Sequence, residues 1–350
     1  MATIAVMGTG AWGTTLARLI ALEQVRIARG EGITDAAVPG VVLWEHRPER
    51  AHELQWKREN RDYLPGFPLP ANLRVTADLG DAVRGHSLIL LVTPSQTVRA
   101  NARALAPLVG PDTIVVSGSK GIELGTHLLM TQVLEQELPQ GTRVAALSGP
   151  NLAIEIARGM PAAAVVAARD HATAEEARTA LNTARLRIYT GDDVVGIELG
   201  GALKNIIALG VGISDGLDYG DNAKASFMTR ALAEISRLAL AAGANPLTLA
   251  GLAGLGDLIA TCSSPLSRNR TLGLELAKGR ALDDVLAERK SVAEGVTTTR
   301  AALEMAADLG VELPITAAIA SVLFEGASII ETVSALMLRE PKRELEGLGE

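Results

Sequence analysis

The feature that most constrains this chain lies at its start. Gly8-Thr9-Gly10-Ala11-Trp12-Gly13 stands between a short apolar run, Ala2–Met7, and a stretch from Trp12 to Leu22 whose apolar residues recur at helical spacing. Strand, glycine turn and helix in that order match the G-x-G-x-x-G fingerprint, in which the glycines permit a tight turn, close approach of a pyrophosphate, and close packing of helix on strand. The helix N-terminus then offers open N–H groups and a partial positive charge to phosphates. An isolated match also suits an ordinary glycine-rich turn. The flanking strand and helix favour a dinucleotide site, with Gly8, Gly10, Ala11, Trp12 and Gly13 as its candidates.

Further apolar runs follow at Val41–Trp44, Leu88–Val92, Thr113–Val116, Arg143–Leu147, Ala162–Ala168 and Leu186–Tyr189, mostly separated by stretches long enough for a helix. Their apolarity is continuous rather than alternating, as expected of strands buried on both faces of a parallel sheet. Beyond about residue 192 the period changes to three and four. Helices are expected at Val194–Gly210, Asn222–Ala242, Pro246–Thr261, Arg268–Ala277, Leu282–Glu288, Thr297–Leu309 and Pro314–Phe324. The expected fold is therefore an α/β Rossmann-type N-terminal domain with a mostly parallel sheet, residues 1–192, followed by an all-α domain, residues 193–340. Gly191-Asp192-Asp193 is the natural junction. The charged tail Arg339–Glu350, which contains Pro341, is expected to fray.

Composition agrees with two domains: 350 residues, 48% hydrophobic and 21% charged, exceed what one core usually organises and are too apolar for disorder. Uncharged runs such as Ser87–Val98 and Asn205–Ser214 are shorter than the roughly 18–20 residues of a membrane span, and no integral membrane segment is expected. No Lys or Arg precedes Arg18, which argues against a secretory signal. The one cysteine, Cys262, fits a reducing cytoplasm. With 33 basic against 40 acidic residues the net charge is −7, which disfavours nucleic acid as a partner. Any anionic ligand must be met by a local cluster of donors.

A ribose-binding acid is expected at the end of the second strand. Here Val41–Trp44 ends in Glu45-His46-Arg47, after an unusually long Glu23–Gly40 segment that reads as a surface insertion. Glu45 suits the 2′-hydroxyl of NAD, whereas His46 and Arg47 suit the 2′-phosphate of NADP. Two cations against one carboxylate tip the reading to NADPH, and the alternative is that both simply open the next helix on a solvated face.

Other residues carry chemistry. Lys204 lies in the apolar helical stretch Leu199–Asn205, where burial would lower its pKa towards the range useful to a general acid or base; a core-helix lysine snorkelling to the surface reads equally well. Lys120 follows the strand ending at Val116, and Ser148-Gly149-Pro150-Asn151 follows the next, so both loops are expected at the carboxyl edge of the sheet. Asp257, in Gly254-Leu255-Gly256-Asp257, is expected to pair with a buried cation such as Lys204. Ser267-Arg268-Asn269-Arg270 opens a helical run, with Ser267 as the N-cap and Arg268 beside open N–H groups that suit a phosphate.

Taken together these blocks resemble the bacterial NAD(P)-dependent glycerol-3-phosphate dehydrogenases, in the same order and over most of the chain to about residue 325. The carrying motifs are Gly8–Thr14 with its tryptophan, Lys120-Gly121, Ser148-Gly149-Pro150, Leu199–Asn205, Gly254–Leu258 and Ser267-Arg268-Asn269. The resemblance implies hydride transfer between NAD(P)H and dihydroxyacetone phosphate, giving sn-glycerol 3-phosphate for phospholipid synthesis, without a metal. It implies Lys204 as proton donor or acceptor, with Lys120 and Asp257 beside it. It further implies Gly149, Asn151, Ser267, Arg268 and Asn269 around the substrate. Trp12, His46, Arg47, Lys120, Ala153, Arg268, Val292 and Glu294 would contact the cofactor, and a homodimer is common among such proteins. Asn151 stands where many relatives carry Ser or Thr, and the Glu23–Gly40 link is longer than usual. Dehydrogenases of 3-hydroxy acids or 6-phosphogluconate, and a cofactor-binding sensor without turnover, are the competing readings. The Ser267-Arg268-Asn269 block disfavours the first, and the set Lys120, Lys204 and Asp257 the second.

Overall fold

A computed structural model of the chain describes residues 2–32, 38, 40–289 and 293–340. The described residues within Met1–Ser119 and Met130–Val194 pack as one compact unit, and those within Lys120–Leu129 and Val195–Glu350 as another.

The first unit is built on an eight-stranded sheet. Its strands are β1 (Ile4–Met7), β2 (Val41–Trp44), β5 (Leu73–Thr76), β6 (Leu88–Leu91), β7 (Ile114–Ser117), β8 (Arg143–Ser148), β9 (Ala162–Ala168) and β10 (Leu186–Gly191), while β3 (Glu59–Asn60) and β4 (Leu64–Pro68) form a separate hairpin. The order is β10-β9-β8-β7-β6-β1-β2-β5, with every pairing parallel except β8 with β9. All residues of β1, β6 and β7 are buried, which explains their uninterrupted apolarity. From β1 the chain runs outward through β2 to β5 and then returns to β6 on the other side of β1. This is a topological switch point, and a ligand crevice is expected beyond the carboxyl end of β1, where Gly8 begins the turn.

The helices of this unit are α1 (Ala11–Gly30), α2 (Pro48–Lys57), α3 (Leu79–Val83), α4 (Val98–Leu105), α5 (Met130–Glu137), α6 (Ala153–Ala157) and α7 (His171–Leu181). Helix α1 runs eight residues past Leu22, so the first part of the Glu23–Gly40 segment prolongs a helix; residues 33–37 and 39 lie outside the described residues. Strand β5 and the hairpin escaped the sequence reading. At the sheet edge Leu73 and Val75 are buried while Arg74 is exposed, so β5 lacks the continuous apolar run of a central strand.

Among its described residues the second unit is helical, apart from a bridge between Ile122 and Leu129. It holds α8 (Val194–Gly216), α9 (Gly220–Ala241), α10 (Asp257–Ser263), α11 (Arg268–Ala277), α12 (Leu282–Ala287), α13 (Glu294–Asp308), α14 (Pro314–Phe324) and α15 (Ile329–Met337). By length and composition α8 could cross a bilayer, but 83% of its apolar window is buried, as in a core helix. The single helix expected over Pro246–Thr261 is instead a 3-10 turn at Pro246–Ala250, a π turn at Leu252–Gly256 and then α10. Gly251 is extended (φ −87°, ψ −163°), which breaks the helix between them. Ser328, whose hydroxyl accepts from the Glu331 N–H at 3.4 Å, caps α15, which the sequence reading missed although S-x-x-E marks its start. The expected fraying of Arg339–Glu350 concerns, from 341 on, residues outside those described.

Candidate functional site

In the first unit the glycine turn emerges from β1, with Gly8 N–H bonded to Trp44 O at 3.1 Å. Gly8 has φ +118°, and a Cβ there would lie 2.4 Å from Val92 O; a Cβ on Gly13 would lie 2.0 Å from Gly8 O. These two glycines are required by the fold itself. A Cβ on Gly10 would meet nothing within 4 Å, so the space beside it is open. Gly10 is also the N-cap of α1 and supplies no side-chain bond to the open N–H groups at Ala11, Trp12 and Gly13. The indole Nε1 of Trp12 is buried without a hydrogen-bond partner. Open cradle and uncapped helix together fit a dinucleotide phosphate.

At the end of β2, Glu45 is only 2% exposed. It accepts from the Thr9 hydroxyl, from Arg47 N and Nε at 3.2 and 2.9 Å, and from Arg50 Nε at 3.2 Å. Burial opposes ionisation of Glu45, but the Arg47 and Thr9 hydrogen bonds outweigh it and hold the carboxyl below its ordinary pKa. The side chains of His46 and Arg47 remain 66% and 50% exposed. Structure thus turns the expected acid inward, while the half-exposed His46 and Arg47 both touch it, with His46 Nδ1 at 3.0 Å and Arg47 Nε at 2.9 Å from Glu45 Oε1.

Gly149, Asn151 and Ala153 follow β8. Gly149 has φ +140°, and a Cβ there would lie 2.8 Å from Ala164 Cα on the antiparallel β9. Ala153 begins α6 and its carbonyl accepts from Thr15 Oγ1 of α1 at 3.3 Å.

In the second unit one carboxylate organises two lysines. Lys204, in the middle of α8, donates to Asp257 Oδ1 and to Thr261 Oγ1, each at 2.6 Å, and Lys120 donates to Asp257 Oδ2 at 2.6 Å. Lys204, Asp257 and Thr261 are all buried. The snorkelling alternative for Lys204 is excluded. Burial pushes the Lys120 ammonium down to about 8; Asp257 opposes that shift and the neighbouring Lys204 charge adds to it. Thr261 was missed by the sequence reading, although it lies one helical turn beyond Asp257 on α10 and therefore on the same face. Its hydroxyl also donates to Asp257 Oδ1 at 3.3 Å.

Ser267 caps α11 through a bond from Arg270 N at 3.3 Å, and the exposed Arg268 is the first residue of that helix. Asn269 is buried and committed on both sides, donating to Asn205 Oδ1 at 2.9 Å and accepting from Gly295 N at 3.1 Å. Glu294 begins α13, and Val292 lies outside the described residues. Cys262 is buried, and burial pushes its thiol up to about 12, which makes it an inert core residue.

Known proteins share this arrangement of chain. Residues 3–174 match the family model for the N-terminus of NAD-dependent glycerol-3-phosphate dehydrogenase, and residues 193–334 match that for its C-terminus. The glycerol-3-phosphate dehydrogenase (NAD(P)+) of Thermobifida fusca is 47% identical over 350 residues, which cover 99% of this chain and 100% of that protein. The crystal structure of glycerol-3-phosphate dehydrogenase from Coxiella burnetii is similar with a TM-score of 0.88 at 35% identity, covering 97% of this chain and 99% of that one. The yeast enzyme's structure, from Saccharomyces cerevisiae, gives a TM-score of 0.78 at 26% identity, over 95% and 98% of the two chains.

Proposed function

From the premise that this chain belongs to the NAD-dependent glycerol-3-phosphate dehydrogenase family, we propose that it interconverts dihydroxyacetone phosphate and sn-glycerol 3-phosphate with NAD(P)H. The observation that carries the reading is the buried Lys204–Asp257–Lys120 cluster, in which both ammonium groups sit 2.6 Å from one carboxylate. When bound, the nicotinamide supplies the hydride. Lys204 holds or takes the proton at the C2 oxygen, and its charge stabilises the alkoxide that develops there. Asp257 orients both lysines, one on each carboxylate oxygen. Thr261 fixes the Lys204 ammonium from a second side.

Lys120 and Arg268 are assigned contacts to both ligands. Gly149, Asn151, Ser267 and Asn269 complete the substrate site, and Ser267 and Arg268 at the start of α11 suit its phosphate. Gly8, Gly10, Ala11, Trp12 and Gly13 cradle the cofactor's pyrophosphate, with Ala153 and Glu294 further along it. His46 and Arg47, exposed where Glu45 is buried, support a preference for NADPH. The Rossmann domain is assigned to 1–192 and the substrate domain to 193–340. The enzyme is placed in the cytoplasm, feeding phospholipid synthesis, as a homodimer.

Mixing purified protein with dihydroxyacetone phosphate and either NADH or NADPH at matched concentrations tests this directly. Loss of nicotinamide absorbance that requires the substrate is expected, faster with NADPH. A flat trace with both cofactors would exclude the reaction.

A further inference from the structure

The glycine turn is tied through Thr9 into a closed ring of hydrogen bonds whose other members belong to neither the fingerprint nor the lysine cluster. Asn60, fully buried in the β3–β4 hairpin, donates its amide to Thr9 O at 2.7 Å and to Thr14 Oγ1 at 2.8 Å. Its Oδ1 accepts from Arg50 Nη2 at 2.9 Å, and Arg50 Nε reaches Glu45 Oε2 at 3.2 Å. Glu45 in turn accepts the hydroxyl of Thr9, which closes the ring. Arg50 is 12% exposed at the side chain, with its third nitrogen on Asp62 and its guanidinium 5.1 Å from the Tyr63 ring.

Such a ring fixes the middle residue of the first G-x-G at both its carbonyl and its side chain. It also decides where the strand-end carboxylate points. A buried carboxylate needs a counter-ion, and Arg50 supplies one beside the exposed Arg47, the two meeting at Oε2 from Arg50 Nε at 3.2 Å and Arg47 Nη2 at 3.3 Å. With Arg50 and Thr9 holding Oε2, Glu45 has no oxygen left to present to a ribose diol, and Arg47 keeps an exposed face towards solvent.

We infer that Arg50 is a specificity-determining residue for the 2′ substituent of the nicotinamide dinucleotide, acting through Glu45, and that Asn60 is the positioning residue that holds Arg50 and the glycine turn in register. Without Arg50 the Glu45 charge is met only by Arg47, already bonded to it through Nε at 2.9 Å, and by the His46 ring at 3.0 Å. Loss of one buried positive charge leaves the strand end more negative near the 2′ position, which repels a phosphate and suits a hydroxyl. The inference rests on the dinucleotide reading of the turn.

The test measures dissociation constants of NADPH and NADH, by nucleotide fluorescence without substrate, for wild type, Arg50→Gln, Glu45→Gln and the double variant, with melting temperatures alongside. In Arg50→Gln the NADPH-to-NADH affinity ratio is expected to fall about tenfold, and in the Glu45→Gln background the same change is expected to move it little. Arg50→Lys, which keeps the charge, should retain most of the wild-type ratio should Arg50→Gln prove unstable. A merely structural role would weaken both nucleotides equally, so an unchanged ratio in a folded Arg50→Gln protein, or a ratio that falls about tenfold in a folded Arg50→Lys protein, overturns the assignment of Arg50. Asn60→Ala should weaken both nucleotides at once and Asn60→Asp should rescue neither; full affinity in Asn60→Ala overturns the positioning role. Wild-type protein that binds neither nucleotide would remove the dinucleotide reading, and this inference with it, whereas wild-type binding with an unmoved ratio defeats this inference alone.

Discussion

Lys204 Nζ lies 2.6 Å from Asp257 Oδ1, with both side chains withdrawn from solvent. The pair joins the middle of α8 to the first residue of α10, and Lys120 takes the carboxylate's other oxygen. Removing one partner of a buried pair leaves an uncompensated charge, which costs far more than a surface ion pair is worth.

Asp257→Asn is therefore expected to strand two ammonium groups and to lower stability by ~3 kcal/mol, read as a drop in denaturant midpoint. Lys204→Met leaves Asp257 paired with Lys120 and should unfold at a higher denaturant concentration than Asp257→Asn. Yet it should lose about a hundred- to ten-thousand-fold in the chemical step, with nucleotide affinity retained. Near-normal single-turnover rates in Lys204→Met would contradict the assignment of the proton to Lys204.

Because Lys120 has its pKa pushed down to about 8, it is a cation below that pH and neutral above it. If its charge draws the anionic substrate, kcat/KM should be level on the acid side and fall as pH rises through about 8. Lys120→Arg, which stays charged, should flatten that alkaline limb while lowering the plateau, and persistence of the limb in this variant would assign it elsewhere. The unfolded chain retains this proton up to the ordinary lysine value of 10.5, so between about 8 and 10.5 this group makes folding stability rise with pH.

The two neighbouring glycines separate fold from ligand. A methyl on Gly13 would sit 2.0 Å from Gly8 O, so Gly13→Ala should destabilise the first unit, seen as a lowered melting temperature. Gly10 has φ −64° and open space beside it, so Gly10→Ala should melt like wild type and yet bind NAD(P)H at least about tenfold more weakly, because the methyl occupies the pyrophosphate's approach. Unchanged affinity in Gly10→Ala would displace the cofactor from this turn.

Arg268 opens α11 beside the Ser267 cap and is exposed, so Arg268→Ala should leave stability within about 0.5 kcal/mol. Its KM for dihydroxyacetone phosphate should rise about tenfold, as expected for a lost charge-assisted hydrogen bond to phosphate. A KM unchanged for both substrate and cofactor would remove Arg268 from the site.

By itself the sequence determined what local pattern encodes. The glycine fingerprint, the continuous apolar strands and the three-and-four period of the helices follow from backbone sterics and burial, which act over neighbouring residues. The capped start of α11 and the full extent of α14 were legible for the same reason. Tertiary structure decided which distant polar groups meet. It broke the Pro246–Thr261 helix at an extended Gly251, added the edge strand β5 where only one face is buried, and brought Thr261 onto Lys204. It also turned Glu45 inward, because Thr9, Arg47 and Arg50 converge on one carboxylate whose desolvation demands partners. Spacing along the chain carries no record of that demand, since Asp257 lies 53 positions from Lys204 and 137 from Lys120, and only folding makes them neighbours.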